Sequence, residues 1–324
     1  MTIELIGVDG MTYELKQTYD RRLLITAMKD LVYMRYAEKK PIPARGGKSI
    51  EFRRFERITV TAGSYTLTEG TPPTETQATI SRVQATISQY GQYSKISDVL
   101  ETQSFDPVIA EFTEKYGEAA GEGMDIVTRN ALSAATTIQY AGAGTVVGTS
   151  GAGAVGSGMY LKAAEINEFK RTLRRAGAKP AVDNRFLCIL HPDNTKDMFE
   201  DSDIVDAFQY AQNRGDANPM FTGVLGDWMG VRFVETNNLR IYSSYGMSGA
   251  DIYEVLMFGK EFYGVSELSA MQLRTIIHPR GSGGHTDPLE QYSTVGWKGA
   301  MAAVILNNDF GGVINCVSSR SNSA

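Results

Sequence analysis

Apolar positions recur along this chain with two different periods, and the switches between them mark out its elements. Over residues 12–39, Leu15, Tyr19, Leu23, Leu24, Ala27, Leu31 and Met34 return every three or four positions with Lys, Arg and Asp between them. That is the spacing of a helix with one buried stripe. Pro41 and Pro43 end it, because proline lacks the amide donor a continuing helix needs. Period two then takes over. Ile50, Phe52, Ile58 and Val60 form a β-like run with Arg53, Arg54 and Arg57 among them, and Thr79–Ile96 alternates again through Val83, Ala85 and Ile87. Between the two runs lies AGSYTLTEGTPPTETQA, residues 62–78, rich in turn formers. The pattern predicts a long β-hairpin with a polar tip. A strand of about eleven residues reaches about 36 Å. A two-stranded hairpin has no core of its own and is marginal in water, so an arm of this length is expected to find its partner on another molecule.

A second helix is announced by Asp106-Pro107, an N-cap followed by proline at the first helical position. Val108, Ile109, Phe112, Tyr116, Ala119, Ala120, Met124, Val127, Ala131 and Leu132 then mark one face to about residue 135. About thirty helical residues span about 45 Å, beyond the usual globular helix. Gly117, Gly121 and Gly123 weaken it locally and permit close backbone approach. Residues 142–158 form a low-complexity loop with seven glycines. The texture after it is α/β. Tyr160–Ala176 reads as a helix, Arg185–Leu190 as a buried strand, and His191-Pro192-Asp193 opens another helix. Val231–Glu235 and Tyr253–Phe258 read as strands. Beyond the glycines of 281–284, Tyr292–Trp297 and Met301–Leu306 read as strands returning to a sheet.

A length of 324 residues fits about two domains, and 42% apolar with 21% charged content fits a folded chain rather than a disordered one. No stretch approaches the ~18 apolar residues of a membrane helix, and no secretory signal is expected at Met1-Thr2-Ile3-Glu4. Cys188 and Cys316 sit in apolar runs and read as buried free thiols, which suits a reducing cytoplasm. The net charge of −5 argues against binding nucleic acid by phosphate neutralisation. The first sixty residues nevertheless carry twelve Lys/Arg against eight Asp/Glu. That basic segment is either a contact for DNA or an acidic neighbour, or a solvated helix face with i,i+4 pairs.

No catalytic or ligand-binding motif is complete in the sequence. Gly46-Gly47-Lys48-Ser49 copies the end of a phosphate-binding loop, but Ile42 stands where the motif needs glycine and the flanking elements are reversed. His278 and His285 bracket a short loop with Asp287 nearby, at no standard zinc spacing. Asp201, Asp203 and Asp206 fit helix capping better than calcium. No Gly-x-Ser-x-Gly elbow occurs, and Trp228 and Trp297 read as core or interface anchors. No catalytic residue, cofactor or metal is expected.

The order of elements, and several local strings, carry a resemblance. Tyr19-Asp20-Arg21-Arg22-Leu23-Leu24, Pro41-Ile42-Pro43, Gly46 to Ile50, Phe52-Arg53-Arg54-Phe55, Gly226 to Thr236, Asp287-Pro288-Leu289 and Gly296-Trp297-Lys298 resemble the tailed-bacteriophage major capsid proteins typified by coliphage N-four. The resemblance implies the α+β Hong Kong 97-type capsid fold. It divides the chain into an N-terminal arm (1–39), an extended hairpin loop (40–98), a peripheral domain with a spine helix (99–141 and 285–324) and an axial domain (142–284). It further implies pentamers and hexamers tiling an icosahedral shell, assembled in the host cytoplasm away from membranes, around double-stranded DNA held without sequence-specific binding. The hairpin would reach over a neighbouring subunit, with Lys48, Phe52, Arg53, Arg54, Arg57, Tyr65, Arg82 and Tyr90 as candidate inter-subunit contacts; the arginines suit bidentate pairing with carboxylates. With no long charged extension ahead of residue 12, a separate scaffolding protein is expected, beside a portal and a decoration protein. Some relatives cross-link lysine to asparagine; Lys48 and Lys95 flank this hairpin, but nothing in the sequence carries that chemistry. The alternatives are a cellular nanocompartment shell and, from another class, a soluble α/β enzyme or binding protein with the glycine loop as a lid.

Overall fold

The computed structural model describes residues 31–41, 47–56, 58, 69–70, 79–103, 108–142, 155–156, 158–210, 226–267, 273–282 and 289–320. A 3-10 turn, Tyr33–Arg35, precedes β1 (Glu38–Pro41), β2 (Ser49–Phe55), β3 (Ile80–Thr86) and β4 (Ser88–Ser97). Helices α1 (Asp98–Gln103) and α2 (Val108–Leu132) lead to β5 (Ile138–Tyr140), α3 (Ala163–Arg175), β6 (Phe186–Leu190), α4 (Pro192–Phe199) and α5 (Ser202–Tyr210). The rest is strand: β7 (Asp227–Trp228), β8 (Val231–Glu235), β9 (Ile241–Tyr242), β10 (Ile252–Phe258), β11 (Tyr263–Glu267), β12 (Arg274–His278), β13 (Tyr292–Met301), β14 (Ala303–Ile305) and β15 (Gly311–Val317).

The largest sheet runs β5-β15-β10-β6-β8-β7, with β9 on the end of β10. β6, β10 and β15 are buried at every position, as strands covered on both faces are, and of the three only β6, Phe-Leu-Cys-Ile-Leu, is an unbroken apolar run. α3 crosses this sheet through Ile166, Phe169 and Leu173. Both cysteines lie inside it, free and buried, and burial pushes both thiols well above their ordinary range. They are inert by the rule that the thiolate is the reactive form. Asp201 does cap a helix, but not its own: its Oδ2 accepts from the Ala163 amide at the start of α3, 2.8 Å away.

α2 lies against a second sheet of order β12-β13-β4. Its 25 residues make a rod of about 37 Å. Contact with β13 is close where the strand uses glycine: a Cβ at Gly299 would sit 2.5 Å from Met124 Cε. On the helix side, Gly123 faces the Trp297 ring with room to spare. A third sheet, β1-β11-β14, and the two-stranded β2-β3 complete the fold.

Two expectations are corrected. Of the helix predicted over 12–39, residues 12–30 lie outside the described residues, and its end is not helical: Tyr33–Arg35 is a 3-10 turn and Glu38–Pro41 is a strand parallel to β11. The return run of the hairpin, expected to alternate from Thr79 to Ile96 as one strand, is also divided between two partners. β2 and β3 pair from Ser49↔Thr86 to Phe55↔Ile80, but the return run breaks at Ile87, and β4 leaves to pair with β13. Seven residues per strand give about 23 Å of stem.

The 3-10 turn is held by one buried carboxylate. Asp125 Oδ1 on α2 accepts from the amides of Tyr33 at 2.7 Å and Met34 at 3.4 Å, while Oδ2 has no hydrogen-bond partner among the described residues. Burial raises the Asp125 carboxyl to about 6 despite those amides. The folded group therefore binds its proton more tightly than the unfolded one. Its contribution is most favourable below its ordinary value of 3.8 and declines as pH rises through about 6. Asp125→Asn keeps an acceptor and removes the charge. Its stability relative to wild type should increase by about 2–3 kcal/mol between roughly pH 4 and pH 7, measured by denaturant unfolding at each pH. A difference that is flat with pH would refute the assignment.

Candidate inter-subunit interface

The sequence pointed to the hairpin, and its stem is two-faced as period two requires. Ile50, Phe52 and Ala85 turn inward onto Ala300, Ala302 and Leu306, forming a small apolar cluster separate from the main core. Phe52 packs on Gly264 of β11, where a Cβ would come within 2.6 Å of its ring. Lys40 covers the ring from β1, with Nζ 5.6 Å from its centroid, and donates to the Glu51 carbonyl at 2.5 Å. Arg54 fixes the stem further, donating from Nη1 to the Leu306 carbonyl at 3.0 Å and pairing with Glu56 at 3.2 Å. The Ser81 hydroxyl and Arg54 together hold the Glu56 carboxyl below its ordinary range. Phe52 and Arg54, expected as contacts to a neighbour, are thus engaged with their own subunit.

The other face is charged and open. Arg53 and Arg82 stand directly opposite each other, a destabilising arrangement for like charges. Glu51 Oε1 offsets it by lying 3.6 Å from Arg53 Nε and 3.4 Å from Arg82 Nε. One carboxylate between two guanidinium groups leaves most of their donors for something else. Lys48 is exposed, and its carbonyl accepts from the Ile87 amide at 2.8 Å. Toward the far end, Phe55 is 75% exposed and opposes Ile80 at 51%, with Ile58 at 49% close by in sequence. Arg57 and Tyr65 lie outside the described residues, as do His285, Asp287 and most of the 142–158 glycine loop. Tyr90 is not on this surface: it packs against the main core. Its strand neighbour Tyr93 is the exposed one, at 67%, beside Gly296 on the outer face of the sheet.

The remaining candidates do not converge on chemistry. His191 Nδ1 accepts from the Asp193 amide at 3.2 Å as the N-cap of α4, and His278 is exposed at the end of β12. Lys40, Gly264 and the Leu306 carbonyl were missed from sequence; Leu306 lies 252 positions from Arg54, and no local pattern marks such a pairing.

The Phage capsid protein family model matches residues 81–315. No curated protein matches the chain. Among solved structures, the capsid of cyanophage Pam1 superimposes with a TM-score of 0.69 at 15% identity, covering 91% of this chain and 92% of that one. The capsid of Ralstonia phage GP4 gives 0.67 at 14% identity, covering 89% of each chain. That of Helicobacter pylori bacteriophage KHP30 gives 0.61 at 12%, covering 86% and 87%. At these identities the superpositions establish the Hong Kong 97-type fold, and the family match over most of the length establishes descent: the chain belongs to the phage capsid protein family and is a major capsid subunit.

Proposed function

We propose that this subunit forms pentamers and hexamers of an icosahedral shell around double-stranded DNA, with the far end of the β2–β3 hairpin clasping an adjacent subunit. In this reading α2 is the spine of a peripheral domain (99–141 with 285–324) and residues 142–284 form the axial domain, with β5 and β15 crossing to complete the axial sheet and β12 crossing to pair with β13. A separate scaffolding protein, a portal and a decoration protein act with it, in the host cytoplasm. Its role is structural rather than catalytic.

One observation carries the clasp. The stem is fixed to its own subunit at the base, yet presents Phe55, Ile80 and Ile58 to solvent at the other end. Large apolar side chains clustered on an exposed edge mark an interaction surface. Each contributes about 1.5–3 kcal/mol when buried. A single clasp is therefore modest, but a closed lattice repeats it and holds every tip near its acceptor. A stem fixed at its base also loses little freedom on docking, which raises affinity without extra contacts. Arg53 and Arg82 supply charge-assisted bonds to carboxylates of the neighbour.

The test is the double variant Phe55→Ser with Ile80→Thr. Both sites are exposed, so the thermal unfolding of the free subunit should hardly change, whereas the yield of closed particles counted by electron microscopy should fall at least ~10-fold. Wild-type yield with unchanged thermal disassembly would refute the clasp.

A further inference from the structure

The strongest charge feature outside the hairpin lies on α3. Its buried stripe is Ala163, Ile166, Phe169 and Leu173, so the opposite face carries Asn167, Lys170, Arg171 and Arg174, with Arg175 beside them, along a shallow groove. Arg171 pairs with Glu168, and Lys170 donates to the Met229 carbonyl. The Arg174 and Arg175 side chains are exposed and make no ion pair among the described residues. Cations in a last helical turn complement the helix dipole. That accounts for Arg174 and Arg175, but not for Lys170 and Arg171 one turn earlier.

The same patch contains a second anomaly. Trp228-Met229-Gly230-Val231 is a tight antiparallel turn in which Met229 has φ 46° and Gly230 φ 76°. Two-residue turns of this kind favour Asn or Gly at the first position, since left-handed backbone costs about 1 kcal/mol in other residues. Here a methionine occupies it, 56% exposed, with its sulfur 3.1 Å from Asn167 Nδ2. A large apolar side chain held in a strained turn, exposed at the edge of this basic face beside Asn167 and Lys170, suits a protein partner; a phosphate backbone would use the cations and leave the methionine idle.

We infer that this basic face, with Met229 as its apolar knob, is one half of a contact between neighbouring copies, whose other half is the acidic segment at the start of α5. The inference rests on the reading that the chain assembles into rings. A ring of identical subunits needs a head-to-tail interface, in which one surface meets a different surface of the next copy. The acidic surface is Glu200, Asp203 and Asp206, all exposed; Glu200 pairs with Lys196 at 2.9 Å, while Asp203 and Asp206 make no ion pair among the described residues. The two surfaces cannot meet within one copy. Asp201 binds the Ala163 amide at the N-terminus of α3, and Arg174 lies about 16 Å farther along that helix. Each subunit therefore presents a negative end and a positive end, and complementary charges set the register between copies.

A cysteine pair tests the contact directly in the full chain. Cys188 and Cys316 are buried and will not interfere. The double variant Arg174→Cys with Asp203→Cys, oxidised in assembled capsomers, should give a ladder of covalent oligomers on non-reducing gels, absent from either single variant. No ladder from intact capsomers overturns the proposal. Charge reversal gives an independent readout. Arg171→Glu with Arg174→Glu, and separately Asp203→Arg with Asp206→Arg, should each lower particle yield at least ~10-fold, and combining the two sets should restore it. Wild-type yield from the reversed variants, or no recovery on combining them, overturns it. So do reversed-charge shells that assemble normally yet retain less DNA, which would make this face a DNA contact. The ladder is read on capsomers as well as closed shells, so a failure of the hairpin clasp leaves it intact, and the two readings fail separately.

Discussion

Replacing Phe52 by alanine should release the hairpin and stop shell assembly while leaving the main core folded. Phe52 is 5% exposed and dominates a cluster whose other members are Ile50, Ala85, Ala300, Ala302 and Leu306. Truncating a buried phenylalanine typically costs about 3–5 kcal/mol in lost transfer energy and residual cavity. Among the described residues, the hairpin brings two other buried side chains to that cluster, Ile50 and Ala85. Their burial is worth little more than about 2–4 kcal/mol, so the docked stem loses most of its support. The main core forms a separate cluster around β6, β10 and β15, so the loss is local rather than global. Two measurements separate these levels. Limited proteolysis of the free subunit should show faster cleavage within residues 56–80, while the main thermal transition stays nearly in place. Particle yield should fall below detection by electron microscopy. Phe52→Leu, which keeps most of the apolar volume, should restore particles in part. A large drop of the main transition with an unchanged cleavage pattern would mean that the hairpin and core are one cooperative unit.

What the sequence made legible was decided by whether a local pattern existed to be read. α2, β8 and β10 were readable because their apolar residues repeat at helical spacing or stand densely between turns. β15 was not, although every position in it is buried. It opens with Gly311-Gly312, and glycine contributes no side chain to an apolar run, so an interior strand of the largest sheet looks like a loop. The break at Ile87 was hidden for a different reason. Alternation continues through it, and only the partner changes, from β2 to β13. At the interface, composition placed the arginines on the hairpin but could not divide them between its faces. Arg54 turns inward to a carbonyl 252 residues away, and Arg53 turns out. The exposed Phe55 and Ile80 carried a signal that went unused: apolar residues opposite one another beyond the buried part of a stem have nothing of their own to cover.

Of the described glycines, Gly312 of β15 is the one where an added Cβ would come nearest to a neighbouring atom. An alanine Cβ at Gly312 would lie 2.1 Å from the Thr137 carbonyl oxygen, 2.8 Å from Thr137 Cβ and 3.0 Å from the Phe169 ring. Thr137 cannot simply retreat, because its carbonyl accepts from the Val313 amide at 3.0 Å and its hydroxyl donates to the Asn308 carbonyl at 2.8 Å. Relief requires β15 to shift against β10, where Gly312 opposes Met257, or α3 to lift Phe169 from the sheet. Overpacking a core typically costs about 1–3 kcal/mol and more where backbone is struck, so Gly312→Ala should sit at or above the upper figure. At about 2–4 °C per kcal/mol, the melting temperature should fall by at least about 6–12 °C, and a loss of soluble protein is the extreme of the same effect. Gly123→Ala is the control with the opposite sign. Its Cβ would meet nothing closer than Trp297 Cζ2 at 4.0 Å, and it lies in the interior of α2, where alanine gains about 1 kcal/mol over glycine. Differential scanning calorimetry of the two variants should move the transition in opposite directions. If both move it the same way, helix propensity and strand crowding are not what set these two glycines apart.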